Sequence, residues 1–269
     1  LAFAQKETFM TKTGSSGPGP IQRLKRWAKL WLRPTVNIAG VDLPVSSSFS
    51  TTMQDILYAG VYEKPELTLL DEKLERDDVV VEVGAGLGFL SAFCARRIGS
   101  DRVFTYEANP AMETHIRRTY QLNSVEPRLR IGMLGATSGT HEFFVGEDFW
   151  SSSASHNAGS TVVEVPVFDT RAELEPIKPT FLVMDIEGGE YELLKCIDFG
   201  SIQKVLVEVH PQVLTEAQLE EIYGVLEAAG FSVVSRAGRD GESIFLERKP
   251  EAQLANGDTT DGNVVLSYN

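Results

Sequence analysis

"VVVEVGAGLGFLSAFCARRI", residues 79 to 98, is the stretch on which the fold turns. A short apolar run reads as a buried strand, glycines recur at every second position from 84 to 88, and the remainder carries apolar residues at helical spacing. Missing Cβ atoms at such a junction let the chain turn tightly and let backbone approach a ligand. Strand, glycine turn and helix make the opening of an α/β unit, and the same alternation continues downstream. Strands are predicted near 79–83, 102–106, 129–133, 180–184, 204–209, 231–235 and 243–247, and helices near 87–98, 110–122, 189–197 and 215–229. The fold class that follows is α/β, a Rossmann-like, doubly wound, mostly parallel sheet.

Working outward, residues 76–249 form the main domain. It is preceded by a disordered leader over 1–20, which contains "TKTGSSGPGP", and by an N-terminal helical extension over 21–75. It is followed by a polar tail over 250–269, expected to fray. An insert over 141–168 holds one or two further strands and the serine-rich loop "SSSASHNAGS". In "IQRLKRWAKLWLRP", residues 21–34, Leu24, Trp27 and Trp31 share a helix face with Leu30 beside them, and five Arg/Lys accompany them. Docking of this helix on the acidic domain is the first expectation, and peripheral membrane contact through residues 21–33 is the alternative.

At 269 residues and 42% hydrophobic, the chain can bury one sizeable core. A net charge of -13 argues against a nucleic-acid partner, because neutralising phosphates takes a basic surface. Cys94 and Cys196 lack metal-ligand spacing and read as packed thiols. With no run of roughly 18 apolar residues and no secretory signal, the expected location is cytoplasmic.

The turn itself suggests a cofactor. Glu82, Gly84, Ala85, Gly86 and Gly88 line it, and "RVFTYEANP" ends the next strand at Glu107, followed by Ala108 and Asn109. An acid at that strand end can accept hydrogen bonds from both hydroxyls of a ribose. A dinucleotide loop needs a small residue at position 89, where this chain has Phe89. That disfavours an NAD-linked oxidoreductase, the alternative enzyme reading. A non-catalytic binding module on the same fold is the other alternative.

Ionisable groups then gather where further strands stop. "FLVMDIEGGEYELL", residues 181–194, passes from an apolar run into Asp185 and Glu187, and "KVLVEVHPQ" ends in Glu208, His210 and a proline. Glu208 and His210 are two apart and point to one side of an extended strand. Glu190 and Glu192 suit the positive start of the next helix.

The pattern E-x-G-x-G-x-G resembles motif I of the class I S-adenosylmethionine-dependent methyltransferases. The glycine loop, "DIEGGE" and "VLVEVH" together resemble the FkbM-type family of those enzymes over roughly residues 76–235. The resemblance implies O-methylation of a hydroxyl on a sugar, glycolipid or other small natural product, so the implied partner is a small-molecule or glycan acceptor. It implies that Glu82, Gly84, Gly86 and Glu107 hold S-adenosylmethionine and that Asp185, Glu187, Glu208 and His210 line the acceptor side. Many members carry a lysine two residues before the aspartate, where this chain has Val183, so no role passes to that position. For the acceptor proton two routes stay open. His210 acts as general base, oriented by Asp185 or Glu208, or the acids ligate a divalent metal.

Overall fold

The computed structural model describes residues 20–146, 161–238 and 241–249. The leader, the serine-rich loop and the tail expected from the sequence lie outside the described residues. Strand β3 (Val80–Val83) is central to a seven-stranded sheet, with β4 (Val103–Glu107) and β5 (Arg128–Ile131) on one side and β9 (Phe181–Met184) and β10 (Lys204–Glu208) on the other. These five strands run parallel. β12 (Ser243–Arg248) joins β10 antiparallel and β11 (Phe231–Ala237) joins β12 antiparallel, so the order is β11-β12-β10-β9-β3-β4-β5. The chain builds outward through β3, β4 and β5 and then returns to place β9 beside β3. That reversal is a topological switch point.

Alternating side chains of β3 divide the core. Val80 joins the apolar cluster under helices α4 (Phe89–Ile98) and α5 (Glu113–Asn123), whereas Val81 and Val83 join the cluster under α7 (Glu190–Leu194) and α8 (Glu216–Ala228). Two features depart from expectation, an extra helix and a hairpin in the extension, while the strands expected in the insert are present. A helix α6 (Thr170–Ile177) follows the insert, started by Asp169, whose Oδ1 accepts from the Ala172 amide. The insert contributes β7 (Gly139–Val145) and β8 (Thr161–Asp169), which form a small separate sheet with β6 (Met133–Gly135). The extension is not all helical, because helix α1 (Pro20–Leu32) is followed by a hairpin of β1 (Thr35–Ile38) and β2 (Val41–Pro44). Ala39 and Gly40 both have positive φ, as a two-residue hairpin turn requires. Short alternating strands next to a strong helix signal are easily read through.

The extension also belongs to the core. Leu43, Met53, Leu57 and Leu70, from β2, α2 (Thr51–Ala59) and α3 (Lys64–Lys73), pack in one cluster with Phe89, Ile116 and Phe245. Asn123 of α5 brackets β2, donating to the Asp42 carbonyl at 2.8 Å and accepting its amide at 2.9 Å. Ser243 on β12 donates to Glu66 on α3.

Lys204, buried at the start of β10, donates to Asp78 Oδ2 at 3.0 Å, to Glu75 Oε2 at 2.6 Å and to the Lys73 carbonyl at 3.1 Å. Asp78 is buried too and also accepts from Thr180 Oγ1. Removing one member of a buried ion pair leaves an uncompensated charge, so Lys204→Met is expected to destabilise the protein by about 3–5 kcal/mol. Urea denaturation checks this.

Candidate active site

The switch point forms because β3 and β9 end against one another. The Asp185 amide donates to the Val83 carbonyl at 3.0 Å, and the Gly84 amide to the Tyr106 carbonyl at 2.9 Å. Gly84 has φ +90°, and a Cβ there would lie 1.8 Å from the Asp185 carbonyl oxygen. A Cβ on Gly88 would lie 2.8 Å from Ile116 Cγ2 on α5. These two glycines, expected to make room for a ligand, make room for the neighbouring strand end and helix. Gly86, at φ +53°, instead donates its amide to Glu107 Oε2 at 3.0 Å.

Glu107 stands at the end of β4, as expected, and its Oε1 also accepts the Asn109 amide at 2.7 Å. Burial pushes its carboxyl up to about 7, against the lowering effect of these amide bonds, and Asp185 adds to the rise. The Ala85 amide also acts on this carboxylate, which leaves it acceptor capacity for a hydroxyl donor. Ala108 is half-buried beside it. Asn109 turns its side chain to cap the next turn by accepting the Ala111 amide, and Ala85 points into the core. Glu82 departs further from expectation. It lies under α4 with Oε1 accepting the Ser91 amide at 3.0 Å, and burial pushes it up to about 8. Position 82 falls on the α4 side of β3, as Val80 does, so its carboxyl braces the helix start. Phe89 is fully buried against Tyr62, ring centroids 5.9 Å apart.

On the other side of the switch point, four carboxylates surround one imidazole. His210 is buried, and its Nδ1 lies 2.7 Å from Glu190 Oε1. Nε2 faces Glu187 Oε2 at 3.3 Å, Asp185 Oδ1 at 3.6 Å and Glu208 Oε1 at 3.9 Å. The four residues expected on the acceptor side are thus together. The orienting group is the fully buried Glu190, however, which also accepts the Gly188 amide at 3.2 Å, and neither Asp185 nor Glu208 takes that part. Spacing alone marks Glu190 as a helix-start acid, because only the return of the His210 turn reveals its partner. Glu187 reaches the cluster from a left-handed backbone conformation, φ +51°, which costs a non-glycine residue on the order of 1–3 kcal/mol.

Burial by itself would lower the His210 pKa. The Glu190 hydrogen bond and the charges of Asp185, Glu190 and Glu187 outweigh it and hold His210 up at about 9. His210 is therefore an imidazolium at neutral pH.

The sequence reading missed two residues from the extension. Tyr62 Oη accepts the Leu87 amide of the glycine loop at 3.4 Å. Glu63, next in the chain and at φ +46°, has its carboxyl raised well above the ordinary range by burial, opposed by its bond to Tyr62, with Asp185, Glu82 and Glu66 adding to the rise. Both sit in a turn with no periodic signal. Around the glycine loop the accepting carboxyls of Glu107 and Asp185 suit a ligand that brings ribose hydroxyls and positive charge, with Glu63 beside them as a group that holds its proton. Asp185, Glu187 and His210 also offer one ligand atom each, all within 4.8 Å of one another, a spacing that a divalent cation fits.

Comparison with known proteins locates this geometry in a family. The family model described as the methyltransferase FkbM domain matches residues 82–233. The chain is 25% identical over 194 residues to the hexuronic acid methyltransferase AglP of Haloferax volcanii, a match covering 70% of this chain and 77% of that protein. It is 26% identical over 212 residues to protein-L-isoaspartate O-methyltransferase 2 of Arabidopsis thaliana, covering 73% and 66%. Among solved structures, M. jannaschii TYW2 in complex with AdoMet gives a TM-score of 0.44 at 13% identity, covering 80% of this chain and 86% of that one. Precorrin-6y C5,15-methyltransferase from Geobacter metallireducens gives 0.43 at 13%, covering 76% and 90%.

The raised His210 pKa fixes the sign of a pH effect. Its stabilising charge is fully present below the unfolded value of about 6.5 and is lost as pH rises through about 9. Glu82, held at about 8, acts in the same direction at lower pH, since the folded form keeps a proton that the unfolded form releases. The difference in thermal midpoint between the parent and His210→Asn is expected to shrink between pH 6.5 and 9, read by calorimetry across that range.

Proposed function

The chain belongs to the FkbM methyltransferase family, and from that premise we propose that it moves a methyl group from S-adenosylmethionine to a hydroxyl oxygen of a sugar, glycolipid or other small natural product. The observation that carries the oxygen acceptor is the buried Glu190–His210 pair, set among Asp185, Glu187 and Glu208 beside the glycine loop. An alcohol is a poor nucleophile until its proton leaves, and an oriented imidazole is suited to taking it. The similarity to a hexuronic acid methyltransferase supports a sugar acceptor, and that to an isoaspartate O-methyltransferase supports oxygen as the methylated atom.

When bound, S-adenosylmethionine supplies an electrophilic methyl on a sulfonium centre. Glu107 is assigned to the ribose hydroxyls, with the Gly86 amide fixing the carboxylate in place. Asp185, at the end of β9, supplies negative charge beside the loop, and Glu63, whose carboxyl burial holds in the protonated form, stands by as a neutral hydrogen-bonding group. His210 takes the acceptor proton at Nε2, while Glu190 holds Nδ1 and stabilises the imidazolium that results. With its pKa held near 9, His210 is mostly protonated in the free protein at neutral pH, so this base works best in alkaline solution. A second reading is favoured by the close spacing of Asp185, Glu187 and His210. There a divalent cation takes the three ligand atoms and acidifies the hydroxyl, with neutral His210 as a ligand.

Glu107→Ala is expected to weaken S-adenosylhomocysteine binding by about 1.5–3 kcal/mol, the loss of a charge-assisted contact, measured by calorimetry. Unchanged affinity would overturn the Glu107 assignment.

His210→Asn is expected to lower turnover about 10²- to 10⁴-fold with cofactor affinity nearly intact. The parent's kcat/KM should climb with pH towards about 9 and the variant should lose that limb. The metal reading forecasts a different result, activity abolished by a chelator and restored by added divalent cation. Activity indifferent both to His210→Asn and to the chelator would sink both readings and leave a carboxylate as the base.

A further inference from the structure

Helix α1 is seated the wrong way round for a helix that packs on its own domain. It touches the body through its later turns. Leu30 packs against the core, Lys29 Nζ lies 3.7 Å from the centroid of the Tyr58 ring, and Tyr58 Oη donates to the Arg33 carbonyl at 3.0 Å. The apolar residues on the opposite face are left in solvent, with Leu24 65% exposed, Trp27 63%, Trp31 72% and Leu32 69%. At 100° per residue these four span one arc of the helix, and Lys29 and Leu30 fall across from it. The expected docking of this helix on the domain is met through Leu30 and Lys29 and not through the tryptophans. Like charge does not explain their exposure, since the domain is acidic and the helix basic.

Charge is segregated with equal sharpness. Between Glu7 and Asp42 the chain carries Lys12, Arg23, Lys25, Arg26, Lys29 and Arg33 and not one of its 38 acids. By helical spacing Lys29 and Arg33 lie away from the apolar arc, and the sequence puts three further cations, Arg23, Lys25 and Arg26, in the same segment. Among the described residues no helix is long and apolar enough to cross a membrane.

We propose that α1 is an interfacial anchor that lays Leu24, Trp27, Trp31 and Leu32 into the surface of an anionic lipid bilayer. Tryptophan rings, apolar in body with one polar N–H, favour the depth of the headgroups, and neighbouring lysine and arginine stems reach back to lipid phosphates. The cationic flank supplies long-range attraction and the apolar arc supplies the part of binding that salt does not screen. A nucleic acid would use the charge but leave Leu24 and Leu32 in water. A second acidic copy of the chain is the competing occupant. The inference does not depend on the methyl-transfer reading, and its test uses no activity.

The test is co-sedimentation of the full chain with vesicles of phosphatidylcholine alone or with about one third phosphatidylglycerol, at low salt and at about 0.5 M NaCl, where the Debye length falls to a few ångströms. The chain should pellet with the anionic vesicles at low salt, be largely released by salt, and ignore the neutral ones. Trp27→Ser/Trp31→Ser should lower partitioning at least tenfold while keeping the parent's thermal midpoint and S-adenosylhomocysteine affinity. No pelleting at low salt overturns the proposal, as does equal pelleting of parent and double variant. So does a dimer in sedimentation velocity that the double variant abolishes while vesicle binding is absent, which would give the face to a second copy.

Discussion

The contact on which the site depends is the meeting of β3 and β9 at their carboxyl ends, where Gly84 lies so near the Asp185 carbonyl that no side chain fits. The Asp185 amide closes the join on the Val83 carbonyl. This one approach sets the glycine loop and the acid-rich turn side by side. Without it the two halves of the site would belong to separate loops. The crossover from β5 back to β9, with the small sheet and α6 on the way, has the effect of bringing that turn to the loop.

Electrostatics in the crevice is dominated by one histidine among four carboxylates. Glu190, fully buried, cannot hold a charge cheaply in that setting unless it is paired, and His210 is the pair. The same attraction that keeps His210 protonated works against its use as a base, so orientation and basicity pull in opposite directions here. A cation arriving among Asp185, Glu187 and Glu208 would relieve the excess negative charge and release the proton.

The extension before the family-matched segment is structurally part of the enzyme. Its hairpin is clamped by Asn123, its helix α3 is tied to β12 through Glu66 and Ser243, and its turn brings Tyr62 to the glycine loop. Among the described residues, α1 meets the body through Lys29, Leu30 and Arg33. Leu43, Met53, Leu57 and Leu70 are enclosed while Trp27 and Trp31 are not.

The sequence by itself determined the α/β alternation, the parallel sheet, the glycine turn, the acid at the end of β4 and the gathering of Asp185, Glu187, Glu208 and His210. Those are properties of local periodicity and of strand ends, which a linear pattern records. It could not assign Gly84 and Gly88 to packing, because the atoms that exclude a Cβ there belong to β9 and α5. Nor could it turn Glu82 under α4, pair Glu190 with His210, or bring Tyr62 and Glu63 to the loop, since each depends on contacts between segments far apart in the chain. The helix α1 was legible as amphipathic from its spacing, but which face meets the protein was decided by tertiary structure, through the contacts of Leu30, Lys29 and Arg33 with the body.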